Sequence, residues 1–481
     1  MASAIARILS PSLSTTRHLS TLTSTPIATH PSSPATVLDL SDTERLFSCV
    51  PTTSLLSSLS ILHAISVDPL VDAGIRAMRS KAVVAGRSST LRAAMVGALR
   101  RTVYPHFCAG EGAAEVAATA RELSGRGLKA ILDYGSEDAE EEDDSCNRNL
   151  KGFLDMVEMV ASPAVPESSV SFACVKVTAI CPIALLERVS DLLRWEKKDP
   201  SFRLPWKSHS MPLLSQSSPL YQTPSMPNPL TEPEEQDLRS ALHRLSTLCK
   251  RCAEINLPIL IDAEYTSVQP AIDYFTYSAV SEFNRGDDPI IYGTIQAYLR
   301  DAKERLVQAA DAAEGEGLSF GFKLVRGAYM SRETELALSL GVASPIHRCI
   351  QDTHACYDDC ASFMLEKVLS GSGSLVLATH NLESGKAAAG KAEELGIGKR
   401  NRKLQFSQLM GMADGLSLGL RNAGFQVSKY LPFGPVDQVI PYLLRRAEEN
   451  RGLLSASSRD KELIRKELRR RMKTAVLGRA Y

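Results

Sequence analysis

Eight short runs of β-branched and apolar residues recur along the chain, each followed by a stretch with helical spacing. They occupy residues 128–134, 172–179, 259–264, 290–296, 320–325, 375–380, 404–408 and 426–430. Strands this continuously hydrophobic are what a parallel sheet buried on both faces requires. Eight of them with helical crossovers fit an α/β (β/α)8 barrel of the TIM type better than an open sheet. A chain of 481 residues is long for one compact domain but within reach of a large barrel with insertions.

Each strand carries polar residues at or near its carboxyl end. Asp133 and Tyr134 end the first, and Lys176 lies in the second. Asp262 and Glu264 end the third, Gln296 the fourth, and Arg326 follows the fifth. Thr379, His380 and Asn381 finish the sixth, Gln408 the seventh and Tyr430 the eighth. The carboxyl ends of barrel strands are where active sites gather, so this repetition predicts a catalytic or cofactor-binding mouth.

Composition excludes several classes. Basic and acidic residues balance at 55 each, which leaves no concentrated basic surface for nucleic acid. An apolar content of 44% supports a sizeable core and rules out a natively disordered chain. The ten cysteines are too dilute for a disulfide scaffold, and the CxxC spacing of Cys249 and Cys252 reads as helix packing. No apolar run approaches the roughly 18 residues of a membrane span.

The first 38 residues contain Arg7 and Arg17, no acid, and many Ser, Thr and Pro, the composition of an organellar transit peptide. Residues 73–110 again lack acids and accumulate Arg76, Arg79, Lys81, Arg87, Arg92, Arg100 and Arg101. Interspersed apolar residues make this either a basic amphipathic stretch for an anionic membrane or a solvated helical face. The acid run at 136–144 reads as a solvated loop, and the Pro-rich stretch at 208–235 as a long insertion or flexible loop. The expected organisation is a transit segment over 1–40, a helical arm over 41–125 and the barrel over 126–455. Flexible insertions are expected near 136–148 and 205–235, and a charged surface helix and tail over 456–481.

The most specific stretch begins at Tyr430 and continues through Pro432, Gly434, Pro435, Pro441, Tyr442, Arg445, Arg446 and Glu449. Pro435 suits a helix start, whereas Pro441 predicts distortion or a restart. Tyr442, Arg445 and Glu449 share a helical face, and Arg446 also reaches Glu449 by spacing. Two adjacent guanidinium forks suit a small carboxylate, with Tyr430 and Tyr442 walling an apolar ring beside it. A surface salt-bridge cluster with an aromatic anchor reads equally well from these residues alone.

This stretch resembles the carboxyl-terminal signature of the proline dehydrogenase (proline oxidase) family, most like the fungal and plant mitochondrial forms. Other pieces agree in order: FCAGE at 107–111, ILDY at 131–134, VKVT at 175–178, IDAE at 261–264 and QAY at 296–298. KLVRGAY at 323–329, ATHN at 378–381 and QLMGM at 408–412 follow, so the resemblance covers residues 105–455 with two interruptions. It implies a distorted (β/α)8 barrel holding FAD noncovalently at its mouth. Arg445 and Arg446 would then bind the proline carboxylate with Lys176 near it. Tyr430, Tyr442 and Tyr329 would enclose the pyrrolidine ring, and Glu449 would hold the arginines. Asp262 matches a substrate-site position at the third strand end. Gln296, Lys323, Arg326, Gly327, Thr379, His380, Asn381 and Gln408 match positions at the cofactor. Lys323 stands where bacterial members carry an arginine, a difference between branches.

The resemblance further implies transfer of a hydride equivalent from C5 of L-proline to the flavin, giving 1-pyrroline-5-carboxylate. The amine must lose a proton first, and Asp133 and Lys176 are the candidates to receive it. Electrons would pass to ubiquinone at the matrix side of the mitochondrial inner membrane, through peripheral association. A separate pyrroline-5-carboxylate dehydrogenase would act downstream. No GxGxxG fingerprint occurs, as expected for a flavin held by a barrel, and no metal-ligand spacing appears. Alternatives are hydroxyproline oxidation by the same fold, a metal-free barrel lyase or isomerase using Lys176, or a non-enzymatic scaffold.

Overall fold

Eight parallel strands close into a barrel in sequence order. They are β1 (Lys129–Tyr134), β2 (Val170–Val175), β3 (Ile259–Ile261) and β4 (Ile291–Gln296), then β5 (Phe320–Val325), β6 (Gly373–Ala378), β7 (Leu404–Leu409) and β8 (Val427–Phe433). The structure is a computed structural model and describes residues 38–78, 89–136, 143–452 and 454–477. β1 pairs with β8 from Lys129↔Ser428 to Tyr134↔Phe433, which completes the ring. The expected (β/α)8 barrel is the observed fold.

Several strand ends differ from expectation. β2 stops at Val175, and Val177–Ala179 forms a 3-10 turn. β3 stops at Ile261, and β6 at Ala378, so Lys176, Asp262, Glu264, Thr379 and His380 lie just beyond the ladders. The tips peel away because their side chains take other partners: the Thr178 hydroxyl donates to Glu264 Oε2 at 2.7 Å. β8 instead runs past its expected end at Tyr430 to Phe433. Pro432 has no N–H to give, but its carbonyl accepts from Ala109 at 2.8 Å.

Alternation along the strands sorts the core into two shells. Ile131, Cys174, Leu260, Tyr292, Val376 and Tyr430 cluster inside the barrel, separate from the larger core under the helices. Asp133, Asp262, Gln296 and Lys323 lie on the same inner face nearer the carboxyl ends, so the plug of apolar side chains is their floor. Gly321 is part of that packing, since a Cβ there would lie 2.4 Å from the Tyr292 ring.

The chain before β1 is helical over Thr43–Leu46, Thr52–Ala64, Asp68–Met78, Ser89–Arg101, Tyr104–Phe107 and Ala113–Gly125. It is stitched to the end of β8: Tyr104 donates to the Gly434 carbonyl at 2.7 Å, and Gly434 N–H to the Gly110 carbonyl at 3.0 Å. The expected transit segment falls almost wholly outside the described residues, as does 137–142 of the acid run. The remainder of that expected insertion is helical, because Asp143–Ala161 carries a strong apolar face ending in buried Phe153, Met156 and Val157.

The Pro-rich segment is pinned where a flexible loop was expected. Leu204, Met211 and Leu230 are buried in the core, and Ser208 N–H donates to the Tyr274 hydroxyl at 3.0 Å. Thr231 and Glu234 then form a reciprocal capping box that starts helix Glu232–Glu254. Cys249 and Cys252 are buried in that helix. The carboxyl-terminal helix Leu454–Leu477 also departs from expectation, burying Leu463, Ile464 and Leu468. Its charges disguised this face: Glu467 is buried between Arg470, at 2.8 Å, and Arg471, at 2.7 Å.

Candidate active site

A cavity of about 820 Å³ opens at the carboxyl ends of the strands. Asp133, Lys176, Asp262, Lys323 and Tyr430 form its charged floor. Lys176 Nζ lies 3.0 Å from Asp133 Oδ2 and 3.7 Å from Asp262 Oδ2. Lys323 Nζ contacts Asp262 Oδ1 and lies 5.1 Å from the centre of the Tyr430 ring. The Tyr430 hydroxyl donates to Asp262 Oδ2 at 2.9 Å, and the Cys174 thiol to Oδ1 at 3.0 Å. Two carboxylates thus face two ammonium groups, the pairing that burial of charge demands. Burial pushes the Asp262 carboxyl up, but Lys323 and Lys176 outweigh it and bring its pKa down to about 2. Burial and the neighbouring Asp133 and Asp262 charges raise the Tyr430 phenol far above its usual range, so it remains a donor.

The next wall is built around Arg326. Its guanidinium donates to His354 Nδ1 at 3.0 Å, Thr379 Oγ1 at 2.7 Å and Ser384 Oγ at 2.8 Å. It also stacks 4.3 Å from the centre of the Tyr357 ring. These partners are neutral, and burial lowers the Arg326 pKa. Asn381 caps helix Leu382–Glu394 by accepting from Ser384 N–H at 3.0 Å, so that helix starts at the mouth. Gly327 has φ +136°, and a Cβ there would lie 2.5 Å from the Tyr298 ring.

Gln296 donates to the Glu264 carbonyl at 2.8 Å. Gln408 is held by Ser417, whose hydroxyl donates to its Oε1 at 2.8 Å. His380 Nε2 accepts from Leu409 N–H at 3.1 Å, leaving its proton on Nδ1. Burial, with Lys429, Arg446 and Arg326 nearby, brings the His380 pKa down to about 3.

The third wall is helix Ile440–Gly452. Pro441 sits in its first turn, where a missing N–H costs nothing, so it starts the helix cleanly. Pro435, expected to start a helix, opens a turn in which its carbonyl accepts from Gln438 N–H at 2.9 Å. Arg445 lies 5.7 Å from the Tyr329 ring centre and Arg446 lies 5.3 Å from that of Tyr442. All four line the cavity. The side chain of Glu449 lies outside the described residues. Every other candidate substrate or cofactor residue borders this one cavity, whereas Tyr134 and Glu264, also at strand ends, do not.

The proline dehydrogenase family model matches residues 116–459. The chain belongs to the proline dehydrogenase family. Among similar proteins, proline dehydrogenase 1, mitochondrial, of Arabidopsis thaliana is 53% identical over 438 residues, 90% of this chain and 87% of that protein. Hydroxyproline dehydrogenase of Bos taurus is 33% identical over 434 residues, covering 87% of this chain and 90% of the relative. The structure of proline utilization A from Bdellovibrio bacteriovorus, inactivated by N-propargylglycine, superposes with a TM-score of 0.62 at 20% identity. It covers 89% of this chain and 44% of that longer one, a likeness of fold.

Within this proline dehydrogenase family barrel, several mouth residues have no signal in the sequence. His354, which accepts from Arg326, lies inside helix Ile350–Ser370 far from any strand end. Leu40 reaches the cavity from the amino-terminal arm, and Arg459, Asp460 and Leu463 reach it from the carboxyl-terminal helix. Asp460 is buried and accepts from Asp414 N–H at 2.9 Å and Gly415 N–H at 3.1 Å. Burial and the neighbouring Asp414 push its pKa up to about 7. Only an i, i+3 or i, i+4 pattern of Asp460, Leu463, Ile464, Glu467 and Leu468 hinted at a buried face. Among the described residues no group of three or more metal-ligating side chains occurs.

Proposed function

We propose that the chain oxidises L-proline to 1-pyrroline-5-carboxylate using noncovalent FAD. The observation that carries this reading is the cavity shared by an arginine pair walled with tyrosines and a separate arginine held only by neutral partners. Arg326 brings a positive charge to the mouth through hydrogen bonds to neutral partners alone, beside the amino-terminal end of helix Leu382–Glu394. That pairing favours an anionic cofactor. Gly327 permits close approach of backbone to a flat ring. Gln296, Lys323, Thr379, His380, Asn381 and Gln408 complete the surface that would hold it. FAD bound there supplies the two-electron oxidant for the carbon–hydrogen bond next to nitrogen.

The chain's own residues place the substrate. Arg445 and Arg446 grip the carboxylate, and Tyr329, Tyr430 and Tyr442 exclude water from the ring. Asp133 is the group offered to the amine proton, and the Lys176 ammonium, 3.0 Å from its Oδ2, holds that carboxylate in place. Asp262 stays an anion and holds Tyr430 and Lys323 in place. Glu449 would steady the arginine pair. The 53% identity to a proline dehydrogenase against 33% to a hydroxyproline dehydrogenase favours unsubstituted proline.

The same reading takes the chain to the mitochondrion, with reduced cofactor reoxidised by ubiquinone at the matrix face of the inner membrane and the product passed to a separate pyrroline-5-carboxylate dehydrogenase. The proposed association is peripheral; among the described residues no helix is long and apolar enough to cross a membrane. Within the basic stretch, Arg92 pairs with Asp437 at 3.0 Å and Arg100 with Glu111, while Arg76 and Arg101 are exposed. The domain division proposed is a transit segment, a helical arm, the barrel and a carboxyl-terminal helix that contributes to the mouth.

The test is the visible absorbance of purified protein before and after anaerobic L-proline. Bleaching of a flavin band is expected. A flavin that stays oxidised with L-proline but bleaches with hydroxyproline moves the substrate, and failure to bind added FAD overturns the reading.

A further inference from the structure

Glu333 is a buried carboxylate outside the cavity, 1% exposed, in the first turn of helix Met330–Ser339. Burying a carboxylate is costly unless its oxygens are satisfied. Both are: Thr266 donates its N–H to Oε1 at 2.6 Å and its hydroxyl to Oε2. The Glu333 N–H in turn donates to the Tyr329 carbonyl at 3.0 Å, the bond that opens the helix. Tyr329 is the cap residue of that helix, and its ring faces Arg445.

The same clamp is reached from the Pro-rich segment. Gln222 Nε2 donates to the Thr266 hydroxyl at 2.8 Å. Arg194, itself buried, donates to the carbonyls of Thr266 and Ser267. Tyr265 meets Tyr329 edge-on, with centroids 5.7 Å apart at 74°, and Arg332 covers the Tyr265 ring at 3.5 Å. A hydrogen-bonded line therefore runs from the insertion, through the loop after β3, to the residue that walls the proposed substrate site.

We propose that the Pro-rich segment is a buttress of the substrate site, in which Gln222, Thr266 and Glu333 are positioning residues that set Tyr329 against the substrate without touching it. This rests on the proline-oxidising reading above. The insertion's ordered packing serves this end: a segment that only bridged two helices would need no bond to the loop after β3. Displacing Tyr329 by a fraction of an ångström loosens the enclosure of the substrate ring and leaves the arginine pair and the charged floor intact.

The test compares Glu333→Gln and Gln222→Ala with wild type as full-length, FAD-loaded protein. Both are also made in a Tyr329→Ala background. The apparent KM for L-proline is expected to rise on the order of tenfold in each single variant, with kcat within about twofold. Neither substitution is expected to add to the KM of Tyr329→Ala, because residues acting through one group are non-additive. Should Glu333→Gln not fold, Gln222→Ala, at a half-buried position, carries the comparison. An unchanged KM in Gln222→Ala, or effects that add fully to Tyr329→Ala, overturns the buttress. Wild type that fails to oxidise proline overturns the functional reading instead, while proline oxidation with unshifted variants overturns the buttress alone.

Discussion

The Tyr430 hydroxyl donates to Asp262 Oδ2 across 2.9 Å, joining β8 to the end of β3 over the apolar plug of the barrel. Lys323 contacts the other oxygen of the same carboxylate. One anion therefore orders both an aromatic wall and the cation that lies 5.1 Å from its ring centre.

Removing that anion leaves Lys323 and Lys176 in a poorly solvated site with one carboxylate between them. Asp262→Ala is expected to cost about 3–5 kcal/mol of stability. Tyr430→Phe is expected to cost about 0.5–1.5 kcal/mol, since it deletes one hydrogen bond and keeps the ring. Urea unfolding midpoints at neutral pH measure both.

Two carboxyl groups predict opposite pH dependences. The Asp262 pKa is lowered from 3.8 to about 2, so its stabilisation is present above 3.8 and is lost as pH falls toward 2. The Asp460 pKa is raised from 3.8 to about 7, so its contribution is full below 3.8 and is lost as pH rises through 7. Asp460→Asn is expected to flatten the decline in thermal stability between those two values, with differential scanning calorimetry across pH as the measurement. An unaltered decline would show that Asp460 does not titrate there.

Arg445→Ala and Arg446→Ala each remove charge-assisted hydrogen bonds proposed for the substrate carboxylate. A loss of about 1.5–3 kcal/mol would raise the proline KM on the order of ten- to a hundredfold. Steady-state kinetics decide this, and unchanged proline kinetics in either variant would refute the clamp.

Arg326→Ala is expected to lose flavin, read as the absorbance ratio of the purified protein and as a weakened FAD dissociation constant. Arg326→Lys should not restore it, because a point ammonium cannot serve His354, Thr379 and Ser384 together. Gly327→Ala should also bind less FAD, through the clash with Tyr298 and the strained φ.

If the basic arm meets an anionic membrane, Arg76→Gln with Arg101→Gln should reduce co-sedimentation with anionic vesicles and leave proline reduction of the flavin unchanged. Equal sedimentation of variant and wild type would remove this arm from any membrane role.

The barrel was legible because its strands are buried on both faces, which writes each as a compact apolar run. The mouth was legible for the same geometric reason: polar residues at the inner carboxyl ends interrupt those runs at fixed places. Asp133, Asp262, Gln296 and Tyr430 could be marked from position alone. Lys323 and Gly327 needed the resemblance to a family, since mid-strand lysine and loop glycine have many explanations.

The rest depended on which distant segments meet. Asp460 and Glu467 looked like the charges of a surface helix, and only packing against Asp414 and beside Arg470 and Arg471 reveals them as buried. The Pro-rich segment looked unstructured because its order comes from partners remote in sequence, such as Tyr274 and Thr266. Local periodicity determined the strands, their order of polarity and the existence of a mouth. What lines that mouth from the two ends of the chain, and what braces Tyr329, was decided by tertiary contacts, because a hydrogen bond between residues dozens apart leaves no periodic trace in either segment.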